Sequence, residues 1–221
     1  MKFARAGSDA MIRLFTADTG NGHRVSIMLE EAGLPYEVVP IDFTAGEHRG
    51  EALLAANPMG QIPAIVDDDG PAGQTIALAE SSAILRYLAR KSGKLLPQGP
   101  LEEMEADRWA AIAAGGLQAV PTAIFFAGML GEEQHRPYID HQRAVAGRYL
   151  AVMDARLAQS AYLAGAHYTY ADILGFTLAN GSLPRFGISL DPYPAVKRWV
   201  SIIAERPAVQ RGLGIPAQLA R

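Results

Sequence analysis

A proline stands directly before an apolar run in the segment Asn57–Val66, which reads NPMGQIPAIV. Proline has no backbone N–H to donate to a sheet ladder, so it belongs at the first residue or the edge of a strand. Pro63 therefore predicts that a strand begins at Ala64 and that the backbone just before it stays unpaired with other strands. A partner other than a neighbouring strand then has room to pair with that backbone.

A carboxylate and hydroxyl groups begin a helix-like pattern a little further on. Glu80 is followed by Ser81 and by an amphipathic run that continues to Leu88. The first N–H groups of a helix have no acceptor within the helix, and hydroxyl side chains are favoured there. The segment predicts a helix start that can hold a zwitterionic ligand. Simple helix capping is the alternative interpretation.

Composition excludes several classes of protein. The chain has 221 residues, of which 49% are hydrophobic and 19% charged, which is typical of a globular protein with a core. A formal net charge of −3 gives no electrostatic footprint for nucleic acid or anionic lipid. With no apolar run near 20 residues and no leader-like start, we expect a cytoplasmic protein whose partners are small molecules or proteins. Residues 1–10 are expected to be a loose extension.

The chain contains no cysteine. Disulfides, thiolate metal sites and a cysteine nucleophile are therefore excluded, and any thiol chemistry must use a thiol supplied by a ligand. The five histidines show no paired spacing of the kind that binds zinc, and no metal is expected.

Strands and helices alternate in the first part of the chain. A strand at Ile12 and Leu14 precedes a helix that stops at Gly33, a residue that favours helix ends. The further expected elements are a strand at Tyr36–Ile41, a short helix near Glu51–Ala56, strands at Ala64–Val66 and Thr75–Leu78, and a helix from Ser81 to Ser92. This βαβαββα order predicts an α/β domain with a mixed four-stranded sheet over residues 11–93.

The pattern changes after residue 93. Residues 94–101 are rich in proline and glycine and read as a linker, and residues 102–221 show helical periodicity with hardly any strand signal. The clearest helix start is Thr169 with Asp172 three residues later, a pair that forms a capping box. We therefore predict an all-helical second domain.

The βαβαββα module, the segment Asn57–Pro63, the pair Glu80 and Ser81, and the Thr169-x-x-Asp172 motif together resemble the cytosolic glutathione transferase family. The resemblance covers about residues 11–215. The loop after the first strand is most similar to the bacterial nu-class and Ure2-like branch, whose members act on disulfides with bound glutathione. The resemblance implies a thioredoxin-like first domain, glutathione as co-substrate and a homodimer.

Glutathione contacts follow from the resemblance residue by residue. It implies that the peptide bond before Pro63 is cis and that the backbone of Ile62 pairs with the cysteinyl unit of glutathione, as an added strand residue would. The carboxylate of Glu80 would bind the ligand ammonium, while the hydroxyl and N–H of Ser81 would hold the γ-glutamyl carboxylate. A proline that merely starts an edge strand is the alternative for Pro63.

The thiol of glutathione needs donors that stabilise its thiolate. The resemblance assigns this role to Thr19 and Asn21, which follow the first strand, and no tyrosine lies between Phe15 and Arg24 to take it. Threonine and asparagine are also preferred N-caps, so capping alone remains an alternative for either residue.

The other contacts of the site are less specific. Gln61 is a candidate donor to the glutathione backbone, and His48 or Arg49 is a candidate partner of its glycine carboxylate, although the branch often has lysine at the position of Gln61. Solvated loop residues are the alternative for the last two. Four further side chains are candidates for a second-substrate pocket between the domains, with core packing as their alternative: Phe125, Phe126, Met129 and Tyr170.

Three functional hypotheses remain. The preferred one is a glutathione-dependent transferase or disulfide-bond oxidoreductase, in which bound glutathione thiolate attacks a disulfide or an electrophile, with a role in detoxification. The alternatives are a glutathione-dependent peroxidase that uses the same site and a non-catalytic regulatory protein that kept the fold.

Overall fold

A computed structural model describes residues 11–216 of the chain. Residues 11–93 contain four strands and three α-helices in the predicted order. Their bounds are β1 Ile12–Thr16, α1 Gly20–Ala32, β2 Tyr36–Pro40, α2 Glu51–Ala56, β3 Ala64–Asp67, β4 Ile76–Ala79 and α3 Ser81–Ser92. The prediction of a loose extension concerns residues 1–10, which lie outside the described residues.

The four strands form one sheet in the order β2-β1-β3-β4. Strand β1 runs parallel to β2 and antiparallel to β3, and β3 runs antiparallel to β4. The predicted mixed four-stranded sheet is therefore confirmed. Parallel pairing of β1 and β2 is what a helical crossover between them requires, and the β3–β4 hairpin closes the sheet.

Apolar faces of the helices pack on both sides of this sheet. In α1 the side chains of Val25, Met28 and Leu29 are fully buried, and the helix ends at Gly33 in the left-handed conformation, with φ 67°. Leu14 and Ile65 on the adjacent central strands are also fully buried. Because these strands are covered on both faces, four of the five residues of β1 and all four residues of β3 are buried.

The second unit is helical. Its elements are α4 Pro100–Ala111, α5 Ala119–Leu157, α6 Tyr170–Thr177, the short α7 Leu183–Arg185 and α8 Pro194–Ala204, with π-helical segments at Ile112–Leu117 and Leu178–Ser182. Gly131 interrupts α5 with φ 124°. The predicted helical second domain is confirmed. Among residues 11–216, one helical stretch, Pro100–Leu157, is long and apolar enough to cross a membrane by length and composition alone, a test that the core helices of other folds also pass.

The start of α6 carries the predicted capping box. Asp172 is fully buried and accepts hydrogen bonds from the backbone N–H of Thr169 and of Leu163, each at 2.9 Å. It also accepts from Trp199 Nε1 at 3.0 Å and from the Thr169 hydroxyl at 3.1 Å. Four donors on one carboxylate connect the start of α6 to a loop and to α8.

The division into units differs from the predicted domain boundaries at the C-terminal end. Residues 207–216 group with the first unit, whereas the sequence analysis placed them in the helical domain. Helix α9, Pro207–Leu213, packs on α1: Ser26 Oγ donates to the carbonyl of Gly212 at 2.7 Å, and a Cβ on Gly212 would collide with the backbone of Ile27. Periodicity shows that a segment is helical but not which surface its apolar face covers.

Candidate functional site: one edge of the first-unit sheet

Three strand ends meet at one edge of the sheet. Phe15 near the end of β1 lies opposite Ala64 at the start of β3, and Ala64 lies opposite Ala79 at the end of β4. The residues that follow β1, precede β3 and follow β4 therefore share this edge. It brings together the segments 17–19, 62–63 and 80–81, which include most of the predicted site residues.

The peptide bond between Ile62 and Pro63 is cis, as the resemblance implied. Ile62 lies just outside β3, and its backbone takes part in none of the hydrogen bonds between backbone groups found outside helices and strands in residues 11–216. The buried side chain of Asn57 holds this loop: its Nδ2 donates to the carbonyl of Gln61 at 2.8 Å, and its Oδ1 accepts from the N–H of Met59 at 3.1 Å. A peptide-like ligand can pair with the backbone left at Ile62.

Glu80 and Ser81 form the start of α3. Glu80 is the N-cap, has φ 67° and ψ 111°, and makes no capping hydrogen bond with its side chain, which is exposed. The alternative that Glu80 is merely a side-chain cap is therefore wrong. Ser81 is the first residue of the helix and is buried, with 8% of its surface exposed. The positive end of the helix dipole and free N–H groups lie beside a carboxylate and a hydroxyl.

Thr19 caps α1. Its Oγ1 accepts a hydrogen bond from the N–H of Gly22 at 3.1 Å. Because the hydroxyl oxygen is the acceptor in that bond, the hydroxyl proton stays available for a further acceptor. Capping and thiolate stabilisation are thus compatible at Thr19.

Asn21 lies in the first turn of α1 and is not its cap, so capping alone does not account for it. Its Oδ1 is buried and has no hydrogen-bond partner in residues 11–216. Two residues on, His23 Nε2 lies 3.1 Å from Asp18 Oδ1. Burial lowers the pKa of His23, with the Asp18 carboxylate opposing that shift, so the imidazole is neutral near pH 7.

The loops that carry Gln61, His48 and Arg49 lie side by side. A Cβ on Gly60, which has φ 63°, would come within 2.7 Å of the carbonyl oxygen of His48. Gln61 and Arg49 are exposed, whereas His48 is half-buried, with its ring 5.3 Å from that of Phe43. The Nδ1 atom of His48 is buried and has no hydrogen-bond partner within the described part of the chain.

Two residues of this edge were missed by sequence reasoning. Asn57 was noted only as the first residue of the segment that leads to Pro63, although its side chain fixes that loop. Arg24 is only 2% exposed and donates to Ser81 Oγ. It is spaced four residues from Met28 on the buried stripe of α1, and a charged residue on such a stripe was the signal available.

The four second-substrate candidates do not behave alike. Phe125, Phe126 and Met129 are at least half exposed, and Phe125 and Met129 line a cavity of about 510 Å³ in the helical unit. Tyr170 is 2% exposed, and its hydroxyl donates to Asp107 at 2.6 Å. Lining an open pocket is therefore wrong for Tyr170, which belongs to the core of its own unit.

Within residues 11–216, no group of three or more histidine, aspartate or glutamate side chains is placed to hold a metal ion.

The family models match both units. Residues 21–91 match the Glutathione S-transferase, N-terminal domain, and residues 117–207 match the Glutathione S-transferase, C-terminal domain. The chain belongs to the glutathione S-transferase family. The predicted family and its thioredoxin-like first domain are confirmed.

Relatives within the glutathione S-transferase family span nearly the whole chain. "Glutathione S-transferase 1" of Zea mays is 38% identical, over 85% of this chain and 88% of the relative. "Disulfide-bond oxidoreductase YfcG" of Escherichia coli is 36% identical, over 95% of this chain and 97% of the relative. A glutathione transferase family member from Pseudomonas fluorescens, crystallised with two glutathione bound, superimposes with a TM-score of 0.87 at 37% identity, covering 93% of each chain.

Proposed function

We propose that this protein binds glutathione at the β1–β3–β4 edge and uses its thiolate to reduce disulfides. The observation that carries the proposal is the arrangement at that edge, where the backbone of Ile62 makes none of the backbone hydrogen bonds found outside helices and strands in residues 11–216, and α3 begins at the same edge. A chain without cysteine cannot supply the sulfur itself, so the reactive thiol is that of glutathione. Similarity to a disulfide-bond oxidoreductase over nearly the whole chain supports this choice of reaction.

The ligand lies across the edge in three parts. The γ-glutamyl ammonium pairs with the exposed carboxylate of Glu80, and its carboxylate meets the hydroxyl and N–H of Ser81. The cysteinyl backbone pairs with Ile62, ahead of the buried Pro63. The glycine end of glutathione meets a group of three side chains: Gln61, His48 and Arg49.

The thiolate forms beside the start of α1. The hydroxyl of Thr19 retains a donor proton, the Asn21 amide is not used in capping, and the helix start adds positive potential. A free thiol has a pKa near 8.5, so each unit of lowering gives up to about ten times more thiolate at neutral pH. The protein makes the nucleophile without a covalent intermediate on its own side chains.

The reaction has two exchange steps. Bound glutathione thiolate attacks one sulfur of the substrate disulfide, forming a mixed disulfide and releasing the other sulfur as a thiol. A second glutathione attacks the glutathione sulfur of the mixed disulfide, which releases the second thiol and leaves glutathione disulfide. Two glutathione molecules are oxidised for each substrate disulfide reduced.

Conjugation to an electrophilic carbon uses the same thiolate, and the Zea mays relative named as a glutathione S-transferase favours it as the second candidate. We also propose a homodimer in the cytoplasm. Leu101 and Met104 on α4 are 75% and 60% exposed, which is apolar surface that a second subunit would cover.

The test is reduction of 2-hydroxyethyl disulfide by glutathione, with aryl halide and hydroperoxide assayed alongside. Wild type should reduce the disulfide, and Thr19→Ala and Asn21→Ala should each lower the rate by about tenfold, because one lost donor raises the thiol pKa by roughly one unit. The matched control is Thr75→Ala, which should keep full activity. Thr75 is exposed and directly precedes β4, at the end of this strand that lies away from the site. Full activity in both Thr19→Ala and Asn21→Ala contradicts the thiolate assignment.

Binding separates the enzyme from a scaffold. Wild type should be retained on immobilised glutathione, and Glu80→Ala should be released because the ligand ammonium loses its partner. A wild type that is not retained overturns the proposed function and favours a non-catalytic regulator. If wild type is retained on glutathione but reduces only the hydroperoxide among the three substrates, the peroxidase alternative is favoured.

A further inference from the structure

Helix α1 carries a buried arginine beneath the site. Arg24 is 2% exposed, although an arginine side chain is one of the most costly groups to remove from water. Burial lowers the pKa of Arg24 to about 10, so the guanidinium still carries its charge at neutral pH. A buried charge of this kind is tolerated only with good hydrogen-bond partners.

The partner that links Arg24 to the site is Ser81. Arg24 Nη1 donates to Ser81 Oγ at 3.1 Å, across 57 residues of sequence, and both side chains are buried. The contact joins the second turn of α1 to the first residue of α3. It places a positive charge directly behind the helix start that faces the ligand.

The direction of this hydrogen bond sets the direction of the serine proton. A guanidinium group can only donate, so Ser81 Oγ must be the acceptor, and its single proton points elsewhere. Within residues 11–216 the Ser81 side chain makes no other hydrogen bond. The proton is left for an acceptor that residues 11–216 do not supply.

We propose that Arg24 is a positioning residue that orients the Ser81 hydroxyl to donate to the α-carboxylate of the γ-glutamyl group of glutathione. The inference rests on the proposed function, since it needs glutathione at this edge. Arg24 touches neither the thiol nor the substrate disulfide. Its loss therefore acts on glutathione affinity and KM, while kcat at saturating glutathione stays close to that of wild type.

The experiment compares two ligands by calorimetry. One is glutathione, and the other is 4-aminobutanoyl-cysteinyl-glycine, which lacks only the α-carboxylate of the γ-glutamyl group. Arg24→Met should weaken glutathione binding by about tenfold or more, the usual effect of losing a charge-assisted hydrogen bond. Binding of the analogue should be unchanged, because the group that Arg24 serves is absent from it.

A double-variant cycle tests whether Arg24 acts through Ser81. Ser81→Ala should weaken glutathione binding by a similar factor, and the variant with both changes should be no weaker than either alone. Arg13→Met is the matched control: Arg13 lies on β1, is paired with Asp68 at 3.2 Å, and should leave the ratio of the two affinities unchanged.

Arg24→Gln keeps the test decisive if Arg24→Met does not fold. The glutamine amide offers an acceptor oxygen that can take the Ser81 proton away from the ligand. The affinity for glutathione should therefore again fall relative to the affinity for the analogue. The inference is overturned if a folded Arg24 variant has the same ratio of glutathione affinity to analogue affinity as wild type, which includes the case in which both affinities fall equally. It is also overturned if the losses of glutathione affinity in Arg24→Met and Ser81→Ala add up in the double variant. Failure of wild type to bind glutathione overturns the proposed function instead.

Discussion

At the scale of single residues, the direction of each hydrogen bond decides which protons remain for a ligand. Thr19 Oγ1 accepts from Gly22, and Ser81 Oγ accepts from Arg24. Both hydroxyl groups therefore satisfy a protein donor and still hold a proton for an anion, which in the proposed complex is a thiolate at Thr19 and a carboxylate at Ser81. Residue type alone does not carry this information, because a serine or threonine can donate or accept.

Gly22 is a residue whose missing side chain matters. A Cβ at this position would collide with Ala17 O and Thr16 Oγ1, so the turn from β1 into α1 must open if one is added. We expect Gly22→Ala to lower the free energy of unfolding by about 1–3 kcal/mol, as overpacking does elsewhere. Because Gly22 N–H is the donor to Thr19, glutathione-dependent activity should fall as well. Urea denaturation and the disulfide assay measure the two effects.

Gly128→Ala is the control for that substitution. Gly128 lies in α5, and a Cβ there meets no atom within 4 Å. Alanine at a helical glycine adds up to about 1 kcal/mol of stability. If Gly22→Ala is as stable as Gly128→Ala, the close approach at the turn is not what requires glycine.

At the scale of elements, the start of α6 depends on one carboxylate. Asp172 accepts from four donors on Thr169, Leu163 and Trp199. Asp172→Ala leaves these buried donors without an acceptor, and each such donor costs about 1–3 kcal/mol. We expect a loss of roughly 3 kcal/mol or more in unfolding free energy, measured by urea denaturation. A loss below about 1 kcal/mol contradicts the network.

Asp172 also predicts a pH dependence. Burial raises the pKa of Asp172 to about 6, above the value of 3.8 for an unperturbed aspartate, while the four hydrogen bonds oppose the rise. The folded state then holds the proton more tightly than the unfolded state between these two values, so the contribution of Asp172 to stability falls as pH rises through that range. Relative to Asp172→Asn, wild type should lose stability between about pH 4 and 6. A parallel pH profile for the two proteins contradicts the shift.

At the scale of the whole molecule, the C-terminal helix α9 packs against the first unit and not against the helical unit that precedes it in sequence. Helix α9 packs on α1, Arg211 pairs with Glu30 at 2.6 Å, and Gly212 lies against Ile27. The helix that carries Thr19 and Arg24 at its start is thus held by residues almost two hundred positions later. A single domain boundary at residue 101, as predicted from the sequence, does not assign α9 to the first unit.

Gly212→Ala tests the packing of α9 against α1. The added methyl group must push α9 away from Ile27, so we expect faster hydrogen exchange at the α1 amides and unchanged exchange in α6, which belongs to the other unit. Mass-spectrometric exchange on wild type and variant measures both, with Gly128→Ala as the control. Equal protection of α1 in the two proteins contradicts the packing role of α9.

Much of the fold could be predicted from local sequence signals. Gly33 ends α1, Pro63 precedes β3, and Thr169 with Asp172 begins α6, because each of these residues has a backbone or capping preference that acts within a few positions. The site residues on the strand ends followed from the same signals together with the family resemblance. Their order along the sheet edge then follows from the strand registers.

The contacts that required tertiary structure join distant parts of the chain. Arg24 to Ser81 and Ser26 to Gly212 span 57 and 186 residues. The apolar spacing of α1 can place Arg24 on the buried face, but no local signal identifies Ser81 as its partner or shows that Gly212 packs against α1. Tyr170 shows the same limit, since an aromatic near a helix start serves a core or a pocket equally well until its burial is known. Sequence determined which groups could hold a peptide-like thiol, because backbone and capping preferences are local. The tertiary structure decided which protons those groups still have to give, because that depends on what packs behind them.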